Sequence, residues 1–134
     1  MFGIRFKKKP RRRTPSKHYL AHKEAARALV HERLEFYNAL YGLTYKRVSI
    51  KNQRTCWGSC SAHGNLNFSY KLLFLPPALA DYVIIHELCH LAELNHSAAF
   101  WSLVARACPE YETHRAELRR LSVRGGKVVY LRSA

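Results

Sequence analysis

The feature that most constrains this chain is the stretch Asp81-Tyr-Val-Ile-Ile-His-Glu-Leu-Cys-His90, which is followed by His96. Its apolar residues recur on one face of a helix, and His86 and His90 are four positions apart on another. Residues at this spacing are neighbours on a helix, so two imidazoles can bind one metal ion. Glu87 lies about 100° around the helix from His86, beside the pair. The stretch therefore predicts a helix with a buried apolar back and a metal-binding front.

His96 can join the same ion only if the helix stops and the chain turns back, because a continuous helix would place it about 240° from His90. Asn95 is predicted to end the helix in the left-handed conformation, and Ser97 to cap a following helix. With that turn, His86, His90 and His96 are predicted to bind one Zn²⁺ per chain. Glu93 is the rival third ligand, and a surface helix with incidental histidines is the alternative.

Three protein ligands leave one coordination position for water, which is the arrangement of catalytic rather than structural zinc. Glu87 is then predicted to act as the general base that takes a proton from this water. Tyr111 or Arg115 could donate to the oxyanion of the intermediate, and packing or surface charge explains them equally well. The motif therefore predicts metal-assisted hydrolysis.

The positive charge is concentrated at the start of the chain. Of 23 Lys and Arg residues, seven lie in the first 13 positions, and they account for half of the formal net charge of +14. Residues 1–16 are predicted to be a basic disordered leader. Nucleic acid or another polyanion is the partner that such a leader attracts, and a solvated leader without a partner is the alternative.

Cysteine spacing and hydropathy bear on the compartment. The four cysteines contain no C-x-x-C pair, and no apolar segment follows the basic residues as in a secretory signal. No run of residues approaches the length of a membrane span. We therefore predict free buried thiols and a cytoplasmic protein, and the sequence leaves the oligomeric state open.

The remaining patterns predict an α+β fold of one domain. Ser16 and Gly42 bound a long amphipathic helix over residues 17–41. Apolar alternation then predicts a small, mostly antiparallel sheet of about three strands before the metal-bearing helix. Two C-terminal helices follow, over residues 98–107 and 110–121, and the chain closes with a strand over 127–131. Trp57-Gly-Ser59 is either an edge strand that pairs with a peptide backbone or part of a structural hairpin.

Several blocks together resemble the YgjP-like metallopeptidase family of the zincin group: Trp57-Gly-Ser-Cys-Ser, Gly64-Asn-Leu-Asn, Pro76-Pro, the metal-helix motif, Asn95-His-Ser and Phe100-Trp. The resemblance covers roughly residues 17–121. It implies a zincin-like metallopeptidase domain over residues 17–134, with His86, His90 and His96 on the metal and Glu87 as base. It also implies a polypeptide substrate.

This sequence departs from the family pattern in two places. The family commonly has Arg immediately before its W-G-S-C block, where this chain has Cys56; Arg54 is the nearby candidate replacement. Many relatives also carry an N-terminal β-rich region that is not recognisable here. We therefore do not predict, for this chain, the contacts that the arginine and the β-rich region make in relatives.

Three classes of function follow. The first is a zinc-dependent metallopeptidase. The second is a metal-dependent phosphohydrolase of nucleotides, since metal-activated water also attacks phosphate. The third is a nucleic-acid-associated module with a vestigial zinc site, which would not need Glu87. Residues 72–105 contain no Lys or Arg, and phosphoryl transfer requires converging positive charge, so the first class is favoured.

Overall fold

The computed structural model describes residues 2–5, 16–53 and 56–131. In these residues, six strands, four α-helices and a 3₁₀ helix occur in the following order: β1 (Phe2–Arg5), α1 (Lys17–Tyr41), β2 (Arg47–Lys51), β3 (Cys56–Cys60), β4 (Asn65–Ser69), the 3₁₀ helix Tyr70–Phe74, α2 (Pro77–Cys89), α3 (Ala98–Ala107), α4 (Tyr111–Arg119), β5 (Leu121–Arg124) and β6 (Lys127–Tyr130). The fold class is therefore α+β, as predicted.

Helix α1 begins and ends at the residues that the sequence indicates. The Ser16 hydroxyl accepts a hydrogen bond from the Tyr19 backbone N–H at 3.0 Å, which satisfies one of the free donors of the first turn. Gly42 closes the helix with a φ of 64°, a conformation that glycine adopts without steric cost. Between the two caps, Ala26, Val30 and Leu34 are buried at four-residue intervals and attach one face of α1 to the core.

A polar contact fixes α1 against α2. The Arg33 guanidinium donates to both carboxylate oxygens of Asp81 at 3.0 Å, and the Tyr37 hydroxyl donates to the same carboxylate at 2.8 Å. Hydrogen bonding to Asp81 is the largest influence on the pKa of Arg33 and raises it. Because the bidentate pair is planar and directional, it sets the rotation of α2 relative to α1.

We expect Asp81→Asn to lower the free energy of unfolding by about 1–2 kcal/mol, since the amide keeps the size of the side chain but loses the charge-assisted bonds. Chemical denaturation measures the change. The matched control is Glu24→Gln, which removes the charge of the exposed Arg27–Glu24 pair. Equal effects of the two substitutions would show that the Asp81 contact does not hold α1 and α2 together.

The main sheet has four strands in the order β1-β3-β4-β2. Strand β3 pairs antiparallel with both β1 and β4, whereas β2 and β4 are parallel. A separate hairpin joins β5 and β6 through Gly125 and Gly126. The prediction of a small, mostly antiparallel sheet is confirmed. The prediction of about three strands is confirmed for β2, β3 and β4, and β1 adds a fourth strand.

Two elements lie where the sequence predicted something else. Strand β1 falls within the segment predicted to be a disordered leader. Residues 6–15 lie outside the described residues, so polyanion binding by the leader stays a prediction. Strand β5 begins at Leu121, where a helix was predicted to continue; α4 ends at Arg119 because Leu121 and Val123 are buried as strand residues.

Helix α2 lies in the middle of the molecule, against α1, α3, α4 and the sheet. Pro77 occupies its first position, where a missing N–H costs nothing. Ile84, Ile85 and Leu88 of its predicted back are buried, whereas Leu91 and Ala92 lie beyond its end, half-buried and exposed. The polar residues His86 and Glu87 on its other side are buried as well. The helix that carries the motif is therefore also the centre of the core.

Candidate metal centre and catalytic site

Three imidazole rings converge at the end of α2. The Nε2 atoms of His86 and His90 are 3.2 Å apart, and the Nε2 atom of His96 lies 3.1 Å from each of them. Two nitrogen ligands at about 2.0–2.1 Å from a tetrahedral metal are separated by about 3.3 Å, so this near-equilateral triangle fits one ion. The structure thus brings together the three histidines that the sequence singled out.

The chain reaches this arrangement by a turn that differs from the predicted one. Helix α2 ends at Cys89. The chain then continues into a tighter turn, in which the backbone N–H groups of Leu91 and Ala92 each donate to the carbonyl oxygen three residues earlier. No non-glycine residue in the described segments has a positive φ, so Asn95 does not end the helix in the left-handed conformation. Ser97 caps α3 as predicted, since its hydroxyl accepts from the Phe100 N–H at 3.3 Å.

Hydrogen bonds orient two of the rings. The Nδ1 atom of His90 donates to the Glu93 carbonyl oxygen at 2.9 Å, which leaves an unprotonated Nε2 facing the other rings. The Nδ1 atom of His86 lies 3.2 Å from the Tyr82 hydroxyl. The Glu93 backbone, not its carboxylate, thus supports the site, and Glu93 is not part of the nitrogen triangle.

Aromatic packing restricts the same rings. Phe100 stacks on His90 with ring centroids 4.3 Å apart, and Trp101 stacks on His96 at 5.7 Å. Tyr82 and these two aromatic residues contact the site although the sequence did not predict it. The signal for Tyr82 was its position four residues before His86, on the same side of the helix.

The electrostatics keep the imidazoles neutral. Burial lowers the pKa of His86 well below its usual value, and the neighbouring His90, His96 and Arg115 lower it further. Burial also lowers the pKa of His90 to about 4 and, together with Arg115, that of His96. Neutral imidazole is the form that binds a metal, so little proton competition is expected at neutral pH. The donor set suits a divalent transition metal.

Glu87 is completely buried between α2 and β3. Burial raises the pKa of its carboxyl well above the usual value, and the Ile4 backbone N–H partly opposes this. In the described residues neither carboxyl oxygen meets hydrogen-bond geometry with a protein group. A Cβ at Gly58 would lie 3.0 Å from the Glu87 Cγ, so any larger residue would crowd this side chain where β3 passes it.

The other predicted residues occupy less direct positions. Tyr111 stacks on Trp101 at 4.9 Å, and the Arg115 guanidinium lies 5.1 Å from the Trp101 ring, beside a cavity of about 320 Å³. A role of Tyr111 or Arg115 as the oxyanion donor stays a prediction. Trp57-Gly-Ser59 is an interior strand in the sheet, with β1 on one side and β4 on the other, rather than an edge. Cys56 begins β3, and Arg54 lies outside the described residues.

A second group of possible ligands was not predicted. Cys108, Glu110 and His114 each place one donor atom within 4.8 Å of the others. Burial raises the pKa of the Cys108 thiol to about 11, which disfavours the thiolate that a metal needs. This group is therefore a poorer metal site than the histidine triangle. All four cysteines are buried thiols, as predicted.

Comparison with known proteins identifies the family of this chain. Residues 6–121 match the YgjP-like, metallopeptidase domain family. The chain belongs to this family. Among solved structures it is similar to the metallopeptidase zymogen abylysin of Pyrococcus abyssi, with 26% sequence identity and a TM-score of 0.58 over 67% of this chain and 90% of that one. No curated protein matches it.

Membership of the YgjP-like family makes this chain a metallopeptidase and therefore a hydrolase, and implies a divalent metal and a polypeptide substrate. Abylysin was crystallised as a zymogen. Within the described residues, no helix of this family member combines the length and apolarity needed to cross a membrane.

Proposed function

We propose that this chain is a zinc-dependent peptidase in which His86, His90 and His96 hold one Zn²⁺ and Glu87 is the general base. The observation that carries the proposal is the triangle of three Nε2 atoms with edges of 3.1–3.2 Å. Three neutral imidazoles match catalytic zinc, which keeps one position open. A zinc ion held there would act as a Lewis acid and lower the pKa of water.

The residues of the chain supply the other functions. His90 presents its Nε2 lone pair because its Nδ1 proton is held by the Glu93 carbonyl. Glu87 accepts the proton of the attacking water and then delivers it to the leaving amine. A raised carboxyl pKa makes Glu87 a stronger base than an exposed glutamate, which suits both transfers near neutral pH.

Hydrolysis of nucleotides is less well supported. Phosphoryl transfer develops charge over several oxygens and needs converging cations or a second metal. Arg115 is the cation whose charge lowers the pKa values of both His86 and His96. Among the residues that the structure describes, one arginine beside one metal position does not provide such a site.

The test is metal-dependent cleavage of an unfolded protein such as casein. We expect 1,10-phenanthroline to remove the metal and lower cleavage by about 100-fold or more, and Zn²⁺ to restore it. The control is 1,7-phenanthroline, an isomer that cannot chelate. Elemental analysis of the purified protein should give about one zinc per chain. Zinc-dependent release of phosphate from nucleoside triphosphates, without cleavage of any unfolded protein, would instead support the phosphohydrolase.

A further inference from the structure

Strand β1 occupies the side of β3 opposite β4. It pairs antiparallel with β3, with Phe2 opposite Cys60, Gly3 opposite Ser59 and Ile4 opposite Gly58. In the described sheet β1 is an edge strand, bonded to β3 alone. Its four residues are thus attached as a single added strand, in the way that extended peptides join an exposed sheet edge.

This added strand lies directly against the proposed base. Ile4 faces Gly58, and Gly58 is the residue at which a Cβ would lie 3.0 Å from the Glu87 Cγ. Residues that face each other in an antiparallel pair project to the same side of the sheet, so the Ile4 side chain is on the Glu87 side. That side chain is partly buried against the core.

A peptide bond can be hydrolysed here only if it lies where Glu87 can reach it. The backbone of β1 already runs past Glu87, and Glu87 and His90 are both fully inaccessible to solvent with β1 in place. A substrate segment and β1 therefore need the same space and the same backbone partners on β3.

We infer that the β1-bearing side of β3 is the docking surface for an extended polypeptide segment, and that β1 competes with substrate for it. This inference rests on the proposed function. The partner is a segment without proline at the pairing positions, recognised mainly through its backbone and therefore with little sequence preference. An aliphatic residue is favoured opposite Gly58, where Ile4 now lies.

The attachment of β1 is suited to displacement. The strand is only four residues long, and its register shifts between Ile4 and Arg5, so that Arg5 pairs with Cys56 and Trp57 is passed over. Such an irregularity weakens the ladder locally. Because β1 is tethered, a substrate binds only in the fraction of molecules in which β3 is open, and its apparent affinity is reduced by that fraction.

Binding can be tested separately from cleavage. In a Glu87→Gln background, which prevents hydrolysis, a fluorescent peptide with the sequence of residues 1–8 is titrated against the full chain and against a variant lacking residues 2–5. We expect the shortened variant to bind the peptide about tenfold more tightly or better. The control is the same peptide with proline in place of its isoleucine, which cannot pair with β3 and should bind neither protein.

Cleavage supplies the second measurement. With Glu87 intact, removal of residues 2–5 should raise kcat/KM for an unfolded protein by about tenfold, chiefly through a lower KM. Tighter peptide binding without any cleavage would uphold the docking surface and count against the proposed function. Equal binding and equal kcat/KM in a folded, metal-loaded variant would overturn the inference.

Ile4→Pro in the full chain is the second variant, because it removes the N–H and the strand conformation at one position without shortening the chain. Ile4→Pro should also tighten peptide binding and raise kcat/KM for an unfolded protein. If both variants unfold, as judged by circular dichroism, β1 is part of the folding core and the inference is wrong.

Discussion

Replacing Glu87 with glutamine is expected to abolish peptide hydrolysis and leave the fold and the metal site intact. The amide has nearly the same shape as the carboxyl but cannot accept the proton of the attacking water, so kcat should fall by about 10²–10⁴-fold. Zinc content should not change, because Glu87 does not belong to the triangle of Nε2 atoms. The measurements are steady-state cleavage and elemental analysis of the same preparation.

The same substitution should also stabilise the metal-free protein. Burial raises the pKa of Glu87, so the folded state holds a proton that the unfolded state releases. The stabilising contribution of the protonated Glu87 carboxyl is therefore fully present below the usual glutamate pKa of about 4.5. It is lost as pH rises through the pKa of Glu87 in the folded state. Glutamine does not titrate. The unfolding free energy of the metal-free Glu87→Gln protein should therefore exceed that of the original chain by an amount that grows as pH rises over this range.

Glu93→Gln is the matched control, since it changes a carboxylate near the site whose backbone, not its side chain, supports His90. It should leave activity near that of the original chain. Near-normal cleavage by a folded, zinc-loaded Glu87→Gln protein would remove Glu87 from the mechanism.

The second large effect is expected for His96→Ala, which removes one corner of the nitrogen triangle. Only His86 and His90 would then remain, and zinc affinity should fall by at least about 100-fold, since even loss of an outer hydrogen bond costs 10–100-fold. Affinity is measured by competition with a chelating dye. Hydrolysis should disappear with the metal.

Glu93→Ala separates the two candidate third ligands. It keeps the carbonyl oxygen that accepts from His90 and should retain zinc fully. The ligand assignment would be wrong if Glu93→Ala lost the metal while His96→Ala kept it. Circular dichroism of the apo forms shows whether either loss reflects unfolding.

The sequence was informative wherever a few neighbouring residues determine the structure. Ser16 and Gly42 mark the ends of α1, and Ser97 marks the start of α3, because caps act within one turn. The histidine triangle was predictable for the same reason, since residues 86–96 contain all of its members.

Features that depend on distant partners were not predictable in this way. Phe2–Arg5 becomes a strand only because β3 is available to pair with it, and its own four residues give too weak a pattern. Whether β3 is an edge strand or part of a structural hairpin was left open for the same reason. The close approach of Gly58 to Glu87 requires the packing of the sheet on α2, which no spacing along the chain reveals.

The three proposed ligands lie close together in the sequence, whereas the residues around the proposed base are far apart in it. Bringing His86, His90 and His96 together closes only a short loop and costs little chain entropy. Glu87 takes its surroundings from Gly58 and Ile4, which are far away in sequence. We therefore expect a partly folded chain with only residues 86–96 in place to capture metal already, which would reduce the stabilisation that metal gives the native state. Metal capture is then expected to precede catalytic competence in folding, since the surroundings of Glu87 form only when the sheet docks on α2.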